Sequence, residues 1–384
     1  MLRALCLAMS ILVLPLEFAF ADAGSDPGGN AALKYWQAFA TLPKFSEAEN
    51  KTIGDCLTAP LDDSVRKILT EAEYSLQMMH RGSALKNCDW GMRFDEDGVY
   101  ALLPHAAASR VLTSLACLRA RQGFQTGQNP DGAIDDLLAA MTLGRHVSVD
   151  GSLIAVLVGY SIENRAIETL AVALPKIDAK TIKDVKARFD ALPPFATEAS
   201  ALLACEKVTL DWFIRKVKET KDKEGLLAFL SWVGISEDKD RDSGGKAAAF
   251  LKECGGTAEG VVKFAVEALP SYDAMAKTLD LPLDDFEKEF NRESNRQAGN
   301  PVYKVFFPAL AKARQSRVRA DVRRALFSAA IAVQLEGQNA LKDHLDPVGG
   351  GRFETVPFKG GYELRSKLKL QDDKPVTLTV GHRN

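Results

Sequence analysis

The residues of this chain that could do chemistry are its carboxylates, histidines and arginines, and their spacing decides which chemistry is open. Asp238, Asp240 and Asp242 place oxygens at alternate positions, as a calcium loop does. The sixth position is Ser243 rather than Gly, and the twelfth is Ala249 where a bidentate acid is needed. Lys239 and Arg241 interleave, so the run reads as a solvated charged loop. Asp95-Glu96-Asp97-Gly98 is further from the pattern, with Arg93 and Pro104 where ligands would be required. The histidines are His80, His105, His146, His344 and His382. None forms the i, i+4 pair of a zinc helix, and no cysteine pair has zinc-ribbon spacing. His105 follows Pro104 at a helix start, where a capping or packing role is expected. His146 is expected at a helix C-terminus beside Arg145, where a protonated imidazole would stabilise the negative helix end.

No Gly-x-Ser-x-Gly elbow, phosphate loop or dinucleotide fingerprint occurs. Gly349-Gly350-Gly351-Arg352 precedes a strand, the wrong context for a phosphate cradle. No catalytic, cofactor or metal residues are therefore assigned. The densest basic cluster is Lys312, Arg314, Arg317, Arg319, Arg323 and Arg324. Arg317 and Arg324 share a helical face, and Arg314 and Arg317 nearly do. The cluster reads either as a solvated helix face or as a contact for an acidic partner or an anionic membrane surface. The five arginines Arg314, Arg317, Arg319, Arg323 and Arg324 are the interaction candidates.

The elements that must position these residues are mostly helical. Residues 104–175 form the longest apolar periodic block and read as three successive helices, over about 106–121, 130–145 and 152–174. Asn129-Pro130-Asp131 is a helix start, with Asn as cap and Pro suited to the first helical position. Ile134, Leu137, Leu138, Met141 and Leu143 lie near one face, with Asp135 and Asp136 opposite. The third helix has little polar face, so neighbouring helices should cover most of it. Glu163, Asn164, Arg165 and Glu168 interrupt its apolar run, which is too short to span a membrane. Glu163 and Arg165 are expected to face solvent or partners on neighbouring helices. Ser46 to Glu49 fits a capping box, and Asp62-Asp63-Ser64 caps a longer helix. Cys88 to Tyr100 lacks helical period and predicts a packed, partly extended loop with Trp90 anchored in the core. Pro193-Pro194 breaks the chain before a helix over about 196–221. Residues 234–246 read as an exposed loop, 257–269 and 283–290 as shorter helices, and 301–341 as a helical stretch interrupted at Pro308.

The period changes in the tail. Tyr362, Leu364, Ser366, Leu368 and Leu370 alternate with polar residues, as do Val376, Leu378 and Val380. The fold expected is mostly α, an antiparallel bundle of helical hairpins, tetratricopeptide-like in places, with a small C-terminal antiparallel β meander on the last long helix.

The chain has 384 residues, a net charge of -2, 46% hydrophobic and 26% charged residues. That balance suits a folded protein and gives no bias toward nucleic acid. Arg3, an apolar stretch over 4–16 and Ala19-Phe20-Ala21 read as a signal peptide cleaved after Ala21. The expected order is a signal peptide (1–21), a flexible leader (22–30), an N-terminal helical domain (31–192), a C-terminal helical region (193–341) and the meander (342–384). Export to a periplasm or cell envelope follows, with no membrane span after cleavage. Cleavage removes Cys6 and leaves Cys56, Cys88, Cys117, Cys205 and Cys254. Cys56 and Cys88 are the expected disulfide in an oxidising compartment, and Cys117 and Cys205 are expected to be buried.

Cys88-Asp89-Trp90-Gly91, Leu103-Pro104-His105, the Asp131-Gly132-Ala133 helix start and the run from Asn300-Pro301 to Leu310 resemble an uncharacterised family of exported bacterial helical proteins. The tail, with a helix leading into Asp346-Pro347 and then Tyr362-Glu363-Leu364, is similar in outline to the globular part of type II secretion pseudopilins. It lacks their N-terminal methylated helix, and Val348-Gly349 stands where their Asp-Pro run continues differently. Neither resemblance implies an activity. Two functional readings follow. One is a non-enzymatic envelope protein that binds another envelope protein through a helical groove or its tail. The other is an envelope hydrolase or lyase with His105, His146 and Glu163 around one inter-helix pocket.

Overall fold

A computed structural model describes residues 29–61, 63–235, 243–307, 309–369 and 374–382. The expected signal peptide, residues 22–28 of the leader and the Asp238, Asp240 and Asp242 run lie outside the described residues.

The chain runs through α1 (Ala31–Ala40), α2 (Glu47–Asp55), α3 (Ser64–Ser83), α4 (Phe94–Asp97), α5 (Pro104–Thr126), α6 (Pro130–Ser148), α7 (Leu153–Ala173) and α8 (Ala179–Asp190). It continues through α9 (Glu198–Ala201), a π-helical turn, α10 (Lys207–Glu219), α11 (Lys223–Trp232), α12 (Ser243–Glu253), α13 (Ala258–Thr278), α14 (Leu283–Arg296), α15 (Pro301–Phe306) and α16 (Ala309–Glu336). Strands β1 (Glu354–Phe358), β2 (Gly361–Lys369) and β3 (Pro375–Gly381) close it as an antiparallel meander in sequence order. The fold is mostly α with a small C-terminal sheet.

The organising block is α5, α6 and α7. Asn129 caps α6 by accepting from Gly132 N at 3.0 Å, with Pro130 in the first turn. Ser152 caps α7 by accepting from Ala155 N at 3.1 Å. The two helices approach unusually closely because glycines face each other. A Cβ on Gly159 would lie 2.4 Å from the Gly144 carbonyl oxygen. As its composition predicts, α7 is buried along most of its length.

Two hydrophobic cores result. The first holds α1, α3, α5, α6, most of α7, α8, the C-terminal half of α16 and the sheet. The second holds Leu153, Val156 and Tyr160 of α7, with α10 to α15 and the N-terminal half of α16. Helices α7 and α16 therefore cross from one core to the other. The period-two reading of the tail holds: Tyr362, Leu364, Val376, Leu378 and Val380 are buried in the first core, against α7 and α16. Buried Asp346 ties the tail down, accepting from Ser366 Oγ at 2.9 Å and from the Lys367 N–H at 2.6 Å.

Some local expectations change. Cys88 to Tyr100, expected as a packed, partly extended loop without helical period, contains a helical turn at Phe94–Asp97. Arg93 donates to Asp95 at 3.2 Å and pairs with Glu96 at 2.6 Å, so these acids face an internal cation. Residues 243–246, expected within a loop, begin α12. The helix expected to end at Leu269 runs through Pro270 to Thr278, because Ala268, Tyr272 and Met275 continue its buried face in the second core.

Candidate functional site

The most developed concavity lies along α6. His80, in the last turn of α3, donates from Nε2 to Asp136 Oδ1 at 2.6 Å. Arg119 of α5 donates from Nε to Asp136 Oδ2 at 2.7 Å and from Nη1 to Glu73 Oε2 at 2.8 Å. Asp136 is only 2% exposed, and these donors compensate the burial of its charge. His80 is held at the junction of two cavities of about 740 Å³ and 630 Å³, and both it and Asp135 line each of them. The cavities thus form one groove. The first has an apolar floor with Leu85, Leu138 and Leu192, and an ion pair between Arg188 and Asp135 at 2.7 Å on its edge.

His146 also lines the larger cavity. Its Nδ1 is 2.8 Å from Tyr35 Oη, while its buried Nε2 has no hydrogen-bond partner. Burial pulls the imidazole down to about 4, so it is neutral at ordinary pH. The helix-end stabilisation expected of a protonated His146 is therefore absent. Its carbonyl instead accepts from Trp90 Nε1 at 2.7 Å.

The structure does not gather His105, His146 and Glu163 around one pocket. His105 is buried, 2.9 Å from Asp150 Oδ2 and stacked on Trp90. Trp90 is the core anchor its sequence context predicts. Glu163 is fully buried and accepts from Arg145 Nε at 2.9 Å.

The arginine cluster divides. Arg314 is buried and donates to the Leu281 carbonyl at 2.7 Å. Arg317 bridges Glu198 at 3.1 Å and Asp280 at 2.8 Å, and Glu198 also accepts from Tyr160 Oη at 2.6 Å. Arg324 donates to Asp321 at 2.7 Å and lies 3.6 Å from Glu163. Its guanidinium and that of Arg145 both lie over the Phe195 ring, at 5.2 Å and 4.2 Å. Arg314 and Arg317 thus fasten α16 within the second core, while Arg324 meets Glu163 and Arg145 where α7 and α16 pass between the cores. Arg319 and Arg323 instead line a separate cavity.

Cys56 and Cys88, the expected disulfide, are free thiols in the structure. Cys56 Sγ faces the Pro60 carbonyl at 3.7 Å, and burial pushes the Cys88 thiol up to about 12. Cys117 and Cys205 are buried, as their apolar surroundings predict. Among the described residues, no group of three His, Cys, Asp or Glu is placed to hold a metal ion. No single helix there is long and apolar enough to cross a membrane.

The chain matches no protein-family model, no curated protein and no solved structure.

Sequence reasoning missed the His80, Asp136, Arg119 and Glu73 constellation. Asp136 reads as solvent-facing beside Asp135, and its partners lie 56 and 17 residues away. One local signal did exist. Asp136 sits one turn before Ala140 and two before Leu143 in a helix whose small and apolar residues leave little room for a polar face.

Proposed function

We propose that this protein is a non-enzymatic binding component of the cell envelope that holds an extended polypeptide segment in the α3–α6–α8 groove. The observation that carries the reading is a groove with an apolar floor and charged edge pairs that continues past His80, with His146, whose buried Nε2 has no partner, among its lining residues. An unpaired buried polar atom costs about 1–3 kcal/mol, which a ligand hydrogen bond would offset. The free nitrogen is a donor or an acceptor according to the ring tautomer, and a peptide bond supplies the complement to either. Apolar floor residues would take side chains, and the Asp135–Arg188 and Asp136–Arg119 pairs would set register along the segment. Each of the two cavities lies in the range of about 300–1,000 Å³ usual for ligand sites. Export rests on the sequence of residues 1–21, and the groove would then face the envelope.

The His80–Asp136 pair supports the second reading, a hydrolase, because a carboxylate-oriented imidazole is the arrangement of a general base. The Nε2 is engaged by Asp136, so the base would have to be Nδ1.

The test places a photo-cross-linking residue at Ala84 or Ala191, both exposed and in the groove wall, in living cells. A control goes at exposed Glu354 on the sheet. Adducts from both groove positions should map to one short segment of an envelope protein, and Ala191→Trp should remove the adduct formed at Ala84. Adducts no stronger than at Glu354 would sink the peptide reading. Hydrolysis of an envelope polymer by the purified protein, abolished by His80→Gln, would replace it with the enzymatic one.

A further inference from the structure

Arg319 and Arg323 of α16 do not share the inward pairing of their neighbours. With Arg165 and Glu168 of α7 they line a cavity of about 390 Å³. Arg165 and Glu168 also line a second cavity of about 620 Å³, where Arg121 of α5 joins them. The two form one cleft, which shares no lining residue with the groove along α6. Among its lining side chains are four guanidiniums and a single carboxylate.

Those cations are incompletely used. Arg323 pairs with Glu168, and Arg165 donates to Ser114 Oγ at 2.7 Å. Arg319 has no hydrogen-bond or ion-pair partner among the described residues. Arg121 donates from Nη2 to the Ala59 carbonyl at 2.9 Å, but its buried Nη1 has no partner. Burial holds the Arg121 guanidinium below the usual arginine range, the mark of a cation without enough compensating charge. A folded chain tolerates such a surplus at a cost that an anionic ligand would relieve.

We propose that this cleft binds a phosphate ester, with the phosphoryl group between Arg165, Arg319 and Arg323 and the organic part extending toward Arg121. Planar guanidinium forks match phosphoryl oxygens in pairs, and the Ser161 hydroxyl in the same wall adds a neutral donor. Leu157, Val376 and Leu57 give the organic part apolar contacts. The phosphoryl group could belong to a soluble ester or to a phospholipid headgroup at the envelope surface.

Titration calorimetry of the full mature chain with glycerol phosphate tests the first source. Co-sedimentation with phosphatidylcholine vesicles, with and without phosphatidylglycerol, tests the second. Binding in either arm should weaken about tenfold or more in Arg319→Gln, the loss of one charge-assisted pair of contacts. Arg319 makes no internal hydrogen bond or ion pair among the described residues, so this variant should unfold close to the wild-type temperature. Lys312→Gln, an exposed neighbour outside the cleft, should bind as the wild type does. Glycerol phosphate binding alone identifies a soluble ester, and binding to phosphatidylglycerol vesicles alone identifies a headgroup. No binding in either arm, or equal weakening by Arg319→Gln and Lys312→Gln, would overturn the assignment.

Discussion

His146 shows how one buried side chain sets a pH dependence. Its folded value is about 4, while an unfolded chain would take up the proton near the ordinary value of about 6.5. Between those values the unfolded state holds more protons, so stability rises with pH in that window. The contribution is complete above about 6.5 and is lost as pH falls toward 4, a loss of about 3 kcal/mol at roughly 1.4 kcal/mol per unit. Carboxylates titrate over part of the same range, so the informative quantity is a difference. Urea midpoints of His146→Gln should fall less between pH 6.5 and 4 than those of the wild type, because the amide does not titrate. Parallel curves would mean that the imidazole takes up its proton without opening the structure. The same residue carries the binding proposal, since a neutral ring with one free nitrogen accepts a peptide where an imidazolium would repel any cationic segment.

At the scale of elements, the closest contact in the organising block is made by residues with no side chain. A Cβ on Gly159 would meet the Gly144 carbonyl at 2.4 Å and the Phe195 ring at 3.0 Å. The obstructing atom is backbone, so it cannot rotate away. Alanine ordinarily favours a helix interior over glycine by about 1 kcal/mol. At Gly159 overpacking of about 1–3 kcal/mol should exceed that gain. Gly54, in α2, has nothing within 4 Å of the Cβ position. Gly54→Ala should therefore stabilise by about 0.5–1 kcal/mol. Chemical denaturation of the two variants should move in opposite directions. A stabilised Gly159→Ala would show that α6 and α7 can separate at no net cost.

At the scale of the whole molecule, the described residues form two hydrophobic cores with few means of unfolding separately. Helices α7 and α16 contribute to both, and Glu163, Arg145 and Arg324 meet where those helices pass between them. A single cooperative transition is expected in calorimetry. Glu163→Ala would leave Arg145, itself 8% exposed, without its counter-charge. Removing one partner of a buried pair costs about 3–5 kcal/mol, so this variant should lose that much in urea denaturation. Replacing both ends, Arg145→Met with Glu163→Leu, should recover most of it, because two apolar groups need no compensation. If the single variant unfolds like the wild type, the ion pair does not bind the cores together.

Local chemistry was enough to place many elements. The Ser46 to Glu49 capping box, the Asn129-Pro130 start of α6, the greasy circumference of α7, the Trp90 anchor and the period-two tail were all legible, because caps and periodicity act between residues a few positions apart. Cys117 and Cys205 were legible as buried for the same reason. Only the tertiary structure decided which charged residues face inward. Arg317 and Arg319 are two positions apart on one helix, yet one closes on Glu198, 119 residues away, and the other lines a cleft with no polar partner among the described residues. Asp135 and Asp136 are adjacent, yet one lines the groove in a half-exposed ion pair and the other is buried under Arg119 and His80. A side chain's charge is written in the sequence, but its partner is chosen by how helices far apart in the chain are packed together, and no spacing along the chain carries that information.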